Sequence, residues 1–222
     1  MSNKIMRMLI LEVREVFMIK NIIFDFGNVI GRFDHLECIK NFTNNEEEIK
    51  FLDENVINSP EWLKYGHMDS GLVTYDAIIK LINDRTNNIY PELVSNLVNN
   101  YYKYITISDD IINIVKELKN KGYNIYLLSN TSDPVINEFK DHEIFKYFDG
   151  FVLSCKINML KPNNGIYEYI LNKYNLIPEE CLFIDDREDN MATANRFGIN
   201  GRYVNKDDVE DIKKILKEYN IL

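Results

Sequence analysis

The sequence predicts an α/β fold: a doubly wound, Rossmann-like parallel sheet with an α-helical cap inserted into it. Three observations point there. Short runs that are apolar on both faces end abruptly on polar residues, as strands buried in a parallel sheet do. From residue 108 onward these runs alternate with helical stretches, the pattern of successive βαβ units. Residues 33–107, between the first run and the rest, carry apolar residues only at helical spacing, a stretch too long to be a connection.

The first strand is expected over 21–25, where Asn-Ile-Ile-Phe runs into Asp25 and then a turn, Phe26-Gly27-Asn28-Val29. In the block that follows, Ile78, Leu81 and Ile82, then Leu93, Leu97 and Tyr101, mark helix faces. A helix over 109–120 has Ser108 as its N-cap and Gly122 near its end. A strand over 123–128 ends in Ser129-Asn130. A helix over 134–141, a strand over 150–154, and a loop to Lys161-Pro162 come next. A helix over 165–174 leads to a strand over 181–184, which ends in Asp185-Asp186. The chain closes with a helix over 190–197, a strand over 201–204 and a helix over 208–219. The core domain is therefore assigned to 18–32 and 108–222, and the cap to 33–107. Residues 1–17 are expected to lie outside the fold, the alternative being an extra helix or edge strand. Their apolar stretch, 8–11, is cut by Glu12, Arg14 and Glu15, and Met18 directly precedes the first strand.

At 222 residues the chain suits one domain with an insertion. It is long enough to bury about 70% of its unfolded surface without a disulfide or metal staple. Its 35 acids against 26 bases give a net charge of −9, which repels nucleic-acid backbones and anionic membranes. Neither is an expected partner, and an anionic small substrate needs a local cation to receive it. Cys38, Cys155 and Cys181 are an odd number without metal-ligand spacing, read as reduced apolar side chains of a cytoplasmic protein. No apolar run approaches the roughly 18–20 residues that cross a bilayer.

In an open parallel sheet, ligands bind outside the carboxyl ends of the strands. Asp25, Ser129-Asn130, Lys161 and Asp185-Asp186 all fall at or just beyond such ends. Singly each is ordinary: an Asp caps or turns, Ser-Asn turns, and a lone loop Lys is solvated. Together they bring carboxylates, hydrogen-bond donors and an ammonium to one crevice. Three acids there repel one another unless a cation settles among them, and oxygen-only ligands that leave room for phosphate select Mg²⁺. The scattered His35, His67 and His142 offer no competing zinc set.

These residues resemble the haloacid dehalogenase superfamily, whose four motifs come in this order and spacing between about 21 and 204. They are Ile-Phe-Asp25-Phe-Gly-Asn-Val, Leu-Leu-Ser129-Asn130-Thr, Lys161-Pro, and Phe-Ile-Asp185-Asp186-Arg-Glu-Asp-Asn190. The helical insertion resembles the family's small cap. Its segment from Trp62 through Gly71 to Asp76 is similar to the branch of α-glucose-1-phosphate phosphatases and the phosphatase domain of soluble epoxide hydrolase. The resemblance implies a phosphatase of small phosphorylated metabolites, monomeric or homodimeric, with Asp25 as nucleophile and an aspartyl-phosphate intermediate. Lys161 would keep Asp25 ionised and bind phosphate, and Ser129 with the Asn130 backbone would donate to phosphoryl oxygens. Mg²⁺ would be held by Asp25, the Gly27 carbonyl and Asp186, with Asp185 and Asn190 in support.

Gly27 departs from the pattern. Most phosphatases of the superfamily carry there an Asp that serves as general acid–base, whose loss typically costs about 10²–10⁴ in rate. Three readings follow. A sugar 1-phosphate leaves as a less basic hemiacetal oxyanion and needs less acid. A haloacid dehalogenase-type hydrolase also lacks the acid, but needs no metal and leaves Asp185-Asp186 without a task. A weakly active or inactive protein would bind a phospho-metabolite or partner. Trp62, Tyr65, His67 and Asp69 are placed to line the cap's mouth and meet substrate, though a lone Trp in a helical bundle such as Trp62 suits its core better. Asp34 and His35 stand as substitute proton donors.

Overall fold

The structure, a computed structural model, describes residues 18–64, 68–206 and 208–222. The N-terminal extension and the candidates Tyr65 and His67 lie outside the described residues.

Five parallel strands form one sheet in the order β3-β2-β1-β4-β5: β1 Asn21–Phe24, β2 Asn124–Ser129, β3 Gly150–Leu153, β4 Cys181–Asp185 and β5 Asn200–Tyr203. Helices cover both faces, the doubly wound architecture expected. Alternation along the strands explains why the runs read as apolar throughout. Ile22 and Phe24, with Ile125, Leu127, Leu182 and Ile184, pack into one buried cluster. Ile23, Tyr126, Leu128 and Phe183 pack into the other, on the opposite face. The first cluster takes its helical cover from α5 (Asp109–Asn120) and α10 (Val209–Glu218), the second from α8 (Asn164–Tyr174) and α9 (Glu188–Arg196).

Between β1 and β2 the described residues contain helices and turns: α1 His35–Lys40, α2 Glu46–Leu52, α3 Tyr75–Arg85 and α4 Pro91–Asn100, with wider turns at Asp53–Ile57 and Pro60–Lys64. Thr74 starts α3 by accepting from the Ala77 amide at 3.2 Å, and Ser108 starts α5 through Ile111. The chain leaves and re-enters the sheet region side by side: Arg32 and Thr106 exchange backbone hydrogen bonds of 2.8 and 3.0 Å. Gly31 is glycine because a Cβ there would come within 2.9 Å of Ile105 and of the Phe26 ring.

One element was not expected, and another differs from its expected bounds. After β3, where the sequence pattern continues strand to 154, the backbone turns into a four-residue helix, α7 Ser154–Ile157, closed by Asn158 at φ 53°. A helix that short has no periodicity to read. The helix after β2, α6 Asp133–Phe139, starts a residue early and stops two short. Among the described residues no helix is long and apolar enough to cross a membrane.

Candidate active site

β1 sits in the middle of the sheet, with the chain winding outward to β2 and β3 on one side and to β4 and β5 on the other. Ligands lie at such a switch point, beyond the strand ends. Asp25 follows β1 directly, and its amide donates to the Ile184 carbonyl of β4 at 3.0 Å. Parallel register therefore sets Asp25 beside Asp185, which ends β4.

Lys161 comes from the loop after α7 and is only 4% exposed. Its ammonium lies 2.8 Å from Asp25 Oδ1 and 2.7 Å from Asp185 Oδ2. Burial alone would push a lysine down, but the two carboxylates dominate and raise it above its ordinary value, so it stays charged at neutral pH. Asn130 fixes this loop with its side chain: Oδ1 accepts from the Lys161 amide at 2.8 Å, and Nδ2 donates to the Lys161 carbonyl at 2.9 Å. Ser129 is buried at the end of β2 with its hydroxyl 3.3 Å from the Asn130 carbonyl.

Asp185 is fully engaged. Besides Lys161 it accepts from Asn190 Nδ2 at 2.9 Å on both oxygens and from the Arg187 amide at 2.9 Å. Asp25 and Asp186 are less so. Asp25 Oδ1 takes the Phe26 amide and Lys161, and Asp186 Oδ2 takes Asn28 Nδ2 at 3.0 Å. Asp25 Oδ2, Asp186 Oδ1 and the Gly27 carbonyl accept no hydrogen bond among the described residues. Carboxylate oxygens of Asp25, Asp185 and Asp186 lie within 4.8 Å of one another. Burial first, opposed by Lys161 but reinforced by Asp185 and Asp186, pushes Asp25 up to about 7. Burial also raises Asp186. The donor set fits a hard divalent cation: oxygens only, undersaturated, and close enough to repel one another without one.

The helical region between β1 and β2 supplies a further acid. Asp69 lies in a 3₁₀ turn, Met68–Ser70, clasped by two side chains from just after β3. Ser154 Oγ donates to the Asp69 carbonyl at 2.5 Å, and Asn158 Nδ2 to the Ser70 carbonyl at 2.9 Å. At the next residue, Gly71, φ is +70° and a Cβ would fall 2.4 Å from the Cys155 carbonyl, so only glycine allows this approach. The Asp69 carboxyl is pushed up to about 6 by burial, partly offset by Lys161. Trp62 packs edge-on to Tyr101 at 4.7 Å, a core contact.

Asp34 and His35 have other tasks. Asp34 caps α1 by accepting from the Glu37 amide, a bond that holds its carboxyl below the usual range. His35 lies 3.3 Å from Asp53 at the surface. These contacts, rather than any with the strand-end acids, engage them among the described residues. Sequence reasoning missed Asn28, whose left-handed φ of 56° turns its amide onto Asp186. An Asn directly after a strand-ending Asp-x-Gly was the available signal. It also missed the Asn130 side chain and the hydroxyl chain from Tyr101 through Tyr75 to Ser132, linked at 3.2 and 2.6 Å.

A doubly wound parallel sheet with a carboxylate–lysine cluster at its switch point defines the class, an α/β enzyme fold with a buried carboxylate as candidate nucleophile. The chain belongs to the haloacid dehalogenase-like hydrolase family, whose model matches residues 19–198. It is similar to the D-ribitol-5-phosphate phosphatase of Bacteroides thetaiotaomicron, 25% identical over 82% of this chain and 89% of that one. It is also similar to a sesquiterpene phosphatase of Aspergillus oryzae, 28% identical over 41% of this chain. The chain spans less than half of that protein, 47% of its length. Among solved structures, the magnesium complex of a family enzyme from Bacteroides thetaiotaomicron superposes with a TM-score of 0.66 at 25% identity, covering 86% of this chain and 95% of that one.

Proposed function

We propose that this hydrolase is a Mg²⁺-dependent phosphatase of small phosphorylated metabolites, acting in the cytoplasm, with residues 33–107 as its specificity cap. The observation that carries the reading is the Lys161 ammonium bridging Asp25 and Asp185, with a third carboxylate alongside. Asp25 Oδ2, which has no donor, attacks phosphorus in line. The P–O bond to the leaving group breaks, and water then hydrolyses the aspartyl-phosphate. Lys161 keeps Asp25 ionised and accompanies a phosphoryl oxygen. Ser129 and the Asn130 amide donate to the equatorial oxygens, where charge develops. Asp185 and Asn190 position Lys161. Asp25, the Gly27 carbonyl and Asp186 would hold Mg²⁺, which would supply the positive charge that offsets the repulsion between nucleophile and phosphate.

The preferred substrate is a sugar 1-phosphate, since a hemiacetal oxyanion leaves with the least acid help and Gly27 offers none. The named activity of the Bacteroides relative, on a 5-phosphate of a sugar alcohol, pulls the other way. A second reading rests on a cavity of about 280 Å³ walled by Phe26, Leu127, Phe139 and Phe151 and reaching Ser129. Such a wall suits a phosphate with an apolar tail, and the sesquiterpene phosphatase relative supports it. A panel at fixed Mg²⁺ tests both, comparing sugar 1-phosphates, sugar 6-phosphates and a prenyl phosphate. Faster turnover of 6-phosphates sinks the leaving-group account, and a dominant prenyl phosphate favours the second. Chloride release from haloacids in chelator, without phosphate release, would make it a dehalogenase. Binding without turnover would make it a binding protein.

A further inference from the structure

At Gly27 a Cβ would meet nothing within 4 Å, so the space beside the nucleophile where the superfamily's acid usually projects is open. The acids at the strand ends are committed to Lys161, Asn28 and Asn190. Asp69 differs: its carboxyl has no hydrogen bond or ion pair among the described residues, although it is half-buried and its backbone is fixed to the sheet side by Ser154 and Asn158. Ser154 also bonds Thr131, two residues past Ser129, which ties Asp69 to the phosphate-facing end of β2.

We infer that Asp69 is a catalytic residue, the general acid–base that replaces the carboxyl absent at Gly27. This rests on the phosphatase reading above, and an acid at Asp69 removes the leaving-group ground for preferring a sugar 1-phosphate. As the Asp25–phosphorus bond forms and the bond from phosphorus to the leaving oxygen breaks, the protonated Asp69 carboxyl gives its proton to that oxygen, releasing a neutral alcohol. The Asp69 carboxylate then takes a proton from the attacking water. That water's oxygen bonds phosphorus, the Asp25–phosphorus bond breaks, and inorganic phosphate departs with Asp25 ionised and Asp69 protonated again.

The groups that face Asp69 leave it this role. They are Tyr75 of α3, Tyr101 at the end of α4, Cys155 of α7 and Lys161. Burial pushes the Tyr75 phenol and the Cys155 thiol up to about 12, and Tyr101 well above its ordinary value, so none exchanges a proton near neutrality. Lys161 is held between two carboxylates. Asp69 alone titrates near 6, close to the working range that favours general catalysis.

The test uses the Mg²⁺-loaded enzyme and two substrates, an aryl phosphate with a good leaving group and an alkyl phosphate with a poor one. Asp69→Asn is expected to lower kcat/KM for the alkyl phosphate by about 10²–10⁴ and for the aryl phosphate by less than about tenfold. The wild-type profile should show activity on the alkyl phosphate falling as pH rises past about 6, a limb missing in Asp69→Asn. Gly27→Asp added to Asp69→Asn should restore part of the alkyl rate, which only a folded protein can do. Equal losses on both substrates, or an unchanged pH profile, overturn the inference while leaving the phosphatase reading intact. A wild type inert toward both substrates overturns the phosphatase reading and the inference with it.

Discussion

The two sides of this site are built differently. At the strand ends the charges are locked together: Lys161 between Asp25 and Asp185, Asp185 under Asn190, Asp186 under Asn28. From the helical region comes Asp69, fixed by its backbone and left with a bare carboxyl. A buried charge network holds its geometry because breaking any member strands another. A carboxyl without partners holds no geometry, but its proton is free to move. On the reading proposed above, the contrast separates positioning, assigned to the sheet, from proton transfer and selection, assigned to the inserted region.

Asp25→Asn tests the locked side hardest. It removes the nucleophile while keeping shape, so phosphate release should fall by at least about 10⁴. Activity surviving in a steady-state assay would take the nucleophile's role from Asp25. Chelation comes next. Stripping the divalent ion should abolish turnover, and added Mg²⁺ should restore it, because Lys161 alone does not offset the repulsion between the clustered carboxylates and an incoming phosphate. Full activity in chelator would break the metal assignment.

Lys161→Met separates stability from chemistry. It leaves Asp25 and Asp185 facing one another in a buried site, an uncompensated charge that costs roughly 3–5 kcal/mol. Denaturant unfolding should register that loss, and adding Asp185→Asn should recover part of it. Additive losses in the double variant would show that the two residues do not act as a pair. Asn130→Ala should matter less. It frees the backbone on both sides of Lys161, and a displacement of about 1 Å costs up to roughly 10²-fold in rate. The loss should appear in kcat more than in KM.

The locked side was legible because parallel strands are apolar on both faces, so Asp25, Ser129 and Asp185 stand out as abrupt ends. Lys161 was legible only through motif order, since nothing local marks a loop lysine as buried. The other side was scarcely legible. Asp69 reads as one acid near two glycines. Its isolation depends on Ser154, 85 residues away, and on a helix of four residues that has no pattern to detect. Asp34 illustrates the converse: it precedes an apolar stretch at the distance that makes it an N-cap, and that local signal was the better guide to its task.

The smallest effect bears on the bare carboxyl itself. Asp69 titrates at about 6 when folded, above its ordinary 3.8, so its contribution to stability is fully present below about 3.8 and is lost as pH rises through 6. Above that, the wild type holds an ionised carboxylate with no hydrogen bond or ion pair among the described residues, and partial exposure softens the cost. Asp69→Asn removes the charge and retains the shape. Its melting temperature should match the wild type near pH 4 and exceed it by a few degrees at pH 8. A structural residue would behave the opposite way, with the substitution destabilising at both values. A variant that grows more stable as its alkyl-phosphate activity collapses marks a group kept for chemistry rather than for the fold.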